Sequence, residues 1–366
     1  MTNYNNLPAV LVLDDGTVYR GKAAGKIGTA VGEIGFNTSM TGYQEALTDP
    51  SSYGQIMIAT SPHIGNYGVA RQDNESERIQ IAGLVCKSFN TGYSRDMAQS
   101  SLQDYFVEQD IIGISDIDTR ALVRHIRGKG IMYAIISSEN EDIEQLKQYL
   151  EKAPKLLEQE VSSKVSTPKA YYHGEDDSST RIAVLDLGLK KSVLKSFEDR
   201  QVYTKVFPAR TSFKEMEEWE ADGYFISSGP GNPATLDYAV NTVKEILNAD
   251  RPVFAVCLGH QVLAQAIGIG LEQMKSGHKG INHPVKNLQT GKSEITSQNH
   301  IFNVRKEDVE KHPDVEITHI NLNDGSVEGL RMKNKKAFSV QYNPEAAPGP
   351  NDSKYLFDEF IAMIKS

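Results

Sequence analysis

One cysteine of this sequence stands where a catalytic nucleophile would be expected. Residues 253–261 read VFAVCLGHQ: an apolar run typical of a buried strand leads to Cys257, and the run VLAQAI continues beyond Gly259 as a helix. The pattern predicts a sharp strand-to-helix turn that exposes the sulfur and directs backbone N–H groups of the helix toward it. Such a helix start favours a thiolate and can also stabilise an oxyanion.

The alternative interpretation of Cys257 is a structural cysteine. Free cysteines are among the residues that are most often buried, and a strand cysteine would show the same local pattern. The pattern alone does not separate the two interpretations. The only other cysteine is Cys86, and two such distant cysteines offer neither a disulfide framework nor the paired spacing of a zinc site.

The segments that would position Cys257 alternate between predicted strands and predicted helices. From residue 181 onwards short apolar runs alternate with amphipathic ones, and residues 182–185 and 252–256 are almost continuously apolar. Strands of this kind occur in parallel sheets that helices cover on both faces. Because ligands of such sheets bind outside the carboxyl ends of the strands, the loops that follow Ile226 and Val256 are predicted to form the site.

The chain as a whole predicts two α/β domains. Its 366 residues exceed the usual size of one core. The first half mixes strands and helices, with a hairpin signal at Asp15 and Gly16 and a helical period after Asp116. Residues 153–180 are polar and without period. We therefore predict a mixed α/β domain over residues 1–152, a linker over 153–180, and an open, mostly parallel-sheet domain over 181–366.

Composition excludes several classes of partner. The net charge is -9, whereas binding of nucleic acid needs a basic surface. No apolar run approaches the roughly 18 residues of a membrane span. Residues 1–8 show neither the charged nor the apolar region of a secretory signal. We expect a cytoplasmic protein that binds neither nucleic acid nor a membrane.

Three motifs of the second half resemble those of class I glutamine amidotransferases: CLGHQ at Cys257, SSGPGNP over residues 227–233, and the pair of Pro344 and Glu345. In that family the cysteine attacks the side-chain amide of glutamine, a thioester forms, and ammonia leaves. The resemblance implies the same role for Cys257. Besides the catalytic positions Cys257, Asn343 and Glu345, it implies a glutamine pocket lined by Gly229, Gly231, Leu258, Gln261, Asn299, Ile301 and Phe302.

The N-terminal half narrows the family. The segments at residues 31–57, 61–68 and 116–120 resemble the small chains of carbamoyl phosphate synthetases, and Ser51 matches a position that reaches the glutamine site. The resemblance implies a heterodimer with a large subunit that binds ATP and Mg²⁺, receives the ammonia, and makes carbamoyl phosphate for pyrimidines and arginine. No cofactor is expected in this chain, which has no GxxxxGK[ST] loop. If the partner were instead a synthetase of the anthranilate, GMP or aminodeoxychorismate type, this chain would be expected to lack the segment at residues 31–68. The segment is present.

The sequence departs from the family at the catalytic base. The family motif is Gln-x-His-Pro-Glu, but this chain has Asn343 where the histidine stands. A carboxamide cannot carry a proton near neutral pH as an imidazole does. Asn343 is expected to keep a hydrogen bond to Glu345, and Ile301, where the family has glycine, is expected to narrow the pocket.

Two hypotheses about activity follow from this departure. In the first, Cys257 hydrolyses glutamine and supplies ammonia to the large subunit, with His260, His278 or His300 as conceivable substitutes for the missing base. In the second, the chain is a glutaminase-impaired scaffold or regulator that supports synthesis from free ammonia.

Overall fold

The computed structural model describes residues 7–366 and divides them into two compact units, the first ending at Glu158 and the second running from Gln159 to Ser366. The prediction about a secretory signal falls largely on residues 1–6, which lie outside the described residues. The boundary between the units falls within the predicted linker over residues 153–180.

The elements of the described chain are numbered in sequence order. Those of the first unit are β1 (Pro8–Leu13), β2 (Val18–Gly25), β3 (Thr29–Asn37), α1 (Tyr43–Thr48), β4 (Gln55–Ala59), β5 (His63–Ile64), β6 (Gly83–Val85), β7 (Ser88–Phe89), α2 (Leu102–Glu108), β8 (Ile112–Ser115), α3 (Thr119–Lys129), β9 (Met132–Ser137) and α4 (Ile143–Lys152).

The second unit contains α5 (Ser162–Val165), β10 (Tyr171–His173), β11 (Thr180–Asp186), α6 (Lys191–Glu198), β12 (Val202–Pro208), α7 (Phe213–Glu217), β13 (Gly223–Ile226), α8 (Asp237–Asn248), β14 (Val253–Val256), α9 (Leu258–Ala266), β15 (Leu271–Asn287), β16 (Ser293–Val304), α10 (Lys306–Lys311), β17 (Val315–Asn321), β18 (Val327–Met332), β19 (Ala337–Val340) and α11 (Tyr355–Lys365). Among the residues that the structure describes, no helix is both long and apolar enough to cross a membrane.

The first unit is built around a closed barrel with the strand order β1-β2-β8-β6-β4-β3-β9. The predicted hairpin is confirmed: β1 and β2 pair antiparallel on either side of a turn in which Asp15 accepts a hydrogen bond from the backbone N–H of Thr17 at 3.0 Å. The predicted helix is confirmed as α3. It begins after its N-cap Asp118 and ends at Gly130, whose φ of 100° suits a residue without Cβ.

The second unit contains one sheet with the order β10-β12-β11-β13-β14-β19-β18-β17-β15-β16. The predicted parallel sheet is confirmed for the five strands from β12 to β19, which pair parallel along that order. Beyond β19 the sheet continues in antiparallel pairs through β18, β17, β15 and β16. The sequence pattern did not indicate this extension, because hairpin strands and crossover strands share the same apolar residues.

Both faces of the parallel part are buried. Ile182 and Val184 on β11 belong to one apolar core, whereas Ala183 and Leu185 belong to the other. Successive side chains of a strand point to opposite faces, so a continuously apolar strand contributes to both cores at once. This burial anchors the carboxyl ends of β11, β13 and β14, where the site lies.

Residues 159–180 are more ordered than the predicted linker. They include α5, and β10 adds an antiparallel edge strand to the sheet next to β12, with Tyr171 opposite Val206. A strand of three residues is too short for a period to be detected in the sequence.

Candidate active site

The predicted strand-to-helix turn is present at Cys257, but the predicted exposure of the cysteine is not found, because the residue is 2% exposed. Cys257 lies between β14 and α9 with φ 52° and ψ −105°, a strained conformation for a residue with a side chain. Its backbone N–H donates to the carbonyl of Val340 at 2.9 Å. A Cβ on Gly259 would lie 2.3 Å from the carbonyl oxygen of Ile226, so only glycine allows the helix to begin this close to β13.

The sulfur of Cys257 lies among polar groups from β16 and from the segment after β19. Its Sγ–H donates to the backbone oxygen of Asn299 at 3.8 Å, and Nε2 of Gln341 donates to the sulfur at 3.8 Å. Gln261 donates to the carbonyl of Phe302 at 3.0 Å and to Oε1 of Gln341 at 3.1 Å. The cysteine is 2% exposed, yet its neighbours are predicted pocket residues, which favours the nucleophile over the structural cysteine.

The glycine-rich loop after β13 approaches the same turn. A Cβ on Gly229 would lie 2.1 Å from the carbonyl oxygen of Leu187 and 2.9 Å from Cδ2 of Leu258. Gly231 has φ 94°, and a Cβ there would meet Val161 at 2.7 Å. The loop therefore needs glycine for close backbone approach, and it contacts the first residue of α9, whose N–H has no carbonyl four residues earlier within the helix.

Changing Gly229 to alanine is expected to remove glutamine chemistry and to lower the free energy of unfolding by about 1–3 kcal/mol, because the added Cβ displaces backbone that packs against the nucleophile turn. Urea denaturation and glutamine turnover measure the two effects. Gly128→Ala is the matched control, since a Cβ there meets nothing within 4 Å inside a helix. Native stability and unchanged chemistry in Gly229→Ala would show that the loop tolerates a side chain.

The predicted hydrogen bond between Asn343 and Glu345 is not formed. Glu345 Oε1 accepts from Nζ of Lys190 at 2.8 Å, and both side chains are buried, at 0% and 1% exposure. Oε2 of Glu345 and Oδ1 of Asn343 are buried without a hydrogen-bond partner. The ammonium of Lys190 is a stronger partner for a carboxylate than a neutral carboxamide is.

The three histidines considered as substitute bases have other partners. Nδ1 of His260 lies 2.8 Å from the hydroxyl of Ser339, and burial lowers the pKa of His260 to about 3, so it does not hold a proton near neutral pH. His300 contacts the carbonyl of Phe302 and the side chain of Gln298. His278 contacts Gln298 and Asp324. None of these contacts joins a histidine to Cys257.

Ile301 and Ser51 complete the predicted pocket list. Ile301 is 9% exposed and packs against Gly277, where a Cβ would lie 2.8 Å from its Cγ2. Ser51 belongs to the first unit, in the turn Pro50–Ser52, where its N–H donates to the carboxylate of Asp49 at 2.8 Å. The hydroxyl of Ser51 is buried and has no partner.

Two polar residues of the site were missed by the sequence prediction. Lys190 lies within residues 185–192 (LDLGLKKS), and Gln341 stands at the first position of the segment that matches the family motif Gln-x-His-Pro-Glu. Nothing in those strings indicates that Lys190 pairs with a carboxylate 155 residues away. For Gln341, the only sequence signal of a place in the site was its position two residues before the catalytic position 343.

A strained cysteine turn at the carboxyl end of a parallel sheet, together with a close glycine loop, defines a class I glutamine amidotransferase domain. The profile described as "Glutamine amidotransferase class-I" matches residues 183–363. The profile "Carbamoyl-phosphate synthase small chain, CPSase domain" matches residues 11–136. The chain belongs to the carbamoyl phosphate synthase small-chain family.

Curated relatives match over the full length. The chain is 44% identical to the carbamoyl phosphate synthase small chain of Corynebacterium efficiens, covering 100% of this chain and 94% of the relative. It is 43% identical to that of Chlorobaculum tepidum, covering 98% of each. A small chain of Staphylococcus epidermidis is 45% identical over 97% of this chain and 95% of its own length. The chain is thus a glutamine amidotransferase subunit, with glutamine as substrate and a large synthetase subunit as partner.

Proposed function

We propose that Cys257 performs the first step of glutamine hydrolysis. The sulfur attacks the carboxamide carbon, the C–N bond breaks, and the nitrogen leaves as ammonia after it gains the thiol proton. Water then cleaves the thioester to glutamate and restores the thiol. The observation that carries this proposal is the position of Cys257 at φ 52° before α9, beside Asn299, Gln341 and the glycine loop.

The backbone supports the charge that develops in this step. The tetrahedral intermediate places negative charge on the former amide oxygen, and donors fixed before the reaction stabilise it most. The N–H of Leu258, at the first position of α9, and the loop at Gly229 are proposed as these donors. Both sit on buried elements, so little reorganisation is needed.

Proton transfer is the weak step in this chain. Asn343 neither accepts the thiol proton nor returns it to ammonia, because a carboxamide does not titrate near neutral pH. We therefore propose that turnover is slow and that the complex depends on free ammonia for most of its synthesis. The departure at Asn343 carries this part of the proposal; the pair of Lys190 and Glu345 occupies only one carboxylate oxygen and does not itself block a base.

Intact-mass measurement of the protein mixed with isotope-labelled glutamine tests the proposal. An adduct that carries the glutamyl label and is absent in Cys257→Ala would support attack by the sulfur. In complex with the large subunit, the native chain is expected to support synthesis with ammonia at a normal rate and with glutamine at a low rate. Absence of both adduct and turnover, with glutamine binding shown by calorimetry, would leave only the scaffold role.

Two further expectations, the binding of ATP and Mg²⁺ by the large subunit and the location in the cytoplasm, are also proposals. ATP and Mg²⁺ are proposed to bind the large subunit, which agrees with the lack of a GxxxxGK[ST] loop in this sequence. The cytoplasmic location also stays a prediction.

A further inference from the structure

A buried polar cluster lies on the antiparallel part of the second sheet. It consists of His278 on β15, Gln298 and His300 on β16, and Glu328 on β18, with exposures of 7%, 2%, 6% and 0%. One ligand atom from each of His278, His300 and Glu328 lies within 4.8 Å of the others. The paired neighbours β15 and β16 and the later strand β18 therefore direct nitrogen and oxygen atoms to one point.

In each imidazole, the ring nitrogen that points away from the cluster lies beside a hydrogen-bond acceptor. Nε2 of His278 lies 2.9 Å from the carboxylate of Asp324, and Nδ1 of His300 lies 2.8 Å from the backbone oxygen of Phe302. A carboxylate and a carbonyl only accept, so these nitrogens carry the protons. When each ring carries only this one proton, the inward nitrogens, Nδ1 of His278 and Nε2 of His300, present lone pairs. Metal-binding histidines are oriented by outer partners of this kind.

The orientation of Gln298 is set by its neighbour Thr296. The hydroxyl of Thr296 donates to the carbonyl of His283 at 2.9 Å, so its oxygen must accept from Nε2 of Gln298 at 3.0 Å. The amide oxygen of Gln298 consequently faces both imidazoles, 3.0 Å from Nδ1 of His278 and 2.9 Å from Nε2 of His300. Two lone-pair nitrogens thus face another acceptor.

Glu328 adds negative charge to the same point. Its Oε1 accepts from Asn321 at 2.8 Å and from Gln298 at 3.1 Å, and it lies 3.4 Å from Nδ1 of His278. Its Oε2 is buried without a hydrogen-bond partner. Nδ2 of Asn321, 3.5 Å from Nδ1 of His278, is a distant donor. With singly protonated rings, the acceptors converge beside a buried carboxylate, an arrangement that a cation would satisfy.

We propose that His278, His300, Glu328 and Gln298 bind one divalent transition-metal ion of the zinc class. Three of the separations between candidate ligand atoms, 2.9, 3.0 and 3.4 Å, approach the edge of about 3.4 Å in a tetrahedron with metal–ligand bonds of about 2.1 Å, and the ligand atoms of His278, His300 and Glu328 lie within 4.8 Å of one another. Imidazole and carboxylate are ligands that suit zinc.

The ion would connect β15, β16 and β18 in the extension of the sheet. Since β16 also carries Asn299, whose carbonyl contacts the sulfur of Cys257, the ion would brace the strand that forms one wall of the glutamine site. The role is structural. The competing account places protons on both inward nitrogens, so that the cluster is a hydrogen-bonded network without metal.

Cobalt binding to the chelator-treated full chain tests the proposal. We expect one equivalent of Co²⁺ to give absorption bands of tetrahedral intensity and to be displaced by Zn²⁺. Glu328→Gln should lower the affinity for Co²⁺ by about tenfold or more. Asp324→Asn removes the hydrogen-bond partner of Nε2 of His278 and should lower that affinity by about 10–100-fold. His319→Gln is the control, because His319 is a buried histidine that contacts Thr318 instead of the cluster.

Three results would overturn the metal site. They are the absence of stoichiometric cobalt binding by the native chain, equal affinity in the native chain and in Asp324→Asn and Glu328→Gln, and a loss of affinity in His319→Gln as large as in the cluster variants. Equal affinity would indicate an adventitious ion only. Circular dichroism verifies folding, and Asp324→Asn, at a partly exposed position, keeps the test valid if Glu328→Gln fails to fold.

Discussion

Replacing Asn343 with histidine is expected to raise glutamine hydrolysis by about 10⁴-fold, by analogy with the loss of one member of a serine-type triad. An imidazole at this position can take the thiol proton and return it to ammonia. The backbone N–H of residue 343 already donates to the carbonyl of Ser297 at 2.9 Å, and Oε2 of Glu345 is buried without a partner. The unpartnered carboxylate oxygen can accept a hydrogen bond from the new ring.

Ammonia release at saturating glutamine measures this effect. Asn343→Gln is the matched control, since it changes the size of the side chain without adding a titrating group and should leave the rate low. Cys257→Ala in the Asn343→His background should abolish the gain, which would assign the new activity to the same sulfur. If Asn343→His hydrolyses glutamine no faster than the native chain, the missing base is not what limits this site.

Changing Lys190 to methionine is expected to lower the free energy of unfolding of the second unit by about 3–5 kcal/mol, a large share of the roughly 5–15 kcal/mol of a typical domain. Lys190 and Glu345 are buried and 2.8 Å apart, so the change leaves a carboxylate in a medium of low dielectric without its charged partner. Urea denaturation followed by circular dichroism measures the loss.

The double variant Lys190→Met with Glu345→Gln separates charge from packing. It should recover most of the loss, because no unpaired charge remains. Lys195→Met is the surface control: Lys195 pairs with Glu198 and Asp199 at exposed positions, and such pairs contribute about 0–1 kcal/mol. A loss in Lys190→Met as small as in this control would show that the buried pair contributes little to stability.

Local sequence patterns were sufficient for the elements that carry the nucleophile. The continuous apolar run before Cys257 and the helical run after Gly259 predicted the turn, because strand and helix periods are properties of neighbouring residues. The hairpin at Asp15 and the helix before Gly130 were predicted for the same reason. The family resemblance supplied Asn299 and Phe302, which the structure places beside the turn.

Other features depend on pairing between distant strands. The antiparallel extension, the short strand β10 and the closed barrel follow from which strands meet, and apolar runs of similar length do not encode that choice. The expected hydrogen bond between Asn343 and Glu345 failed for a related reason: the partner of Glu345 is 155 residues away.

The sequence by itself determined the family through its resemblance over nearly the whole chain, and through the same motifs it predicted Cys257 as the nucleophile and Asn343 in place of the family's catalytic histidine. Only the tertiary structure decided that Lys190 occupies one oxygen of Glu345, that Gln341 contacts the sulfur, and that three strands bring His278, His300 and Glu328 together. These features require side chains from distant segments to meet in a buried volume, where unpaired charges and lone pairs are costly.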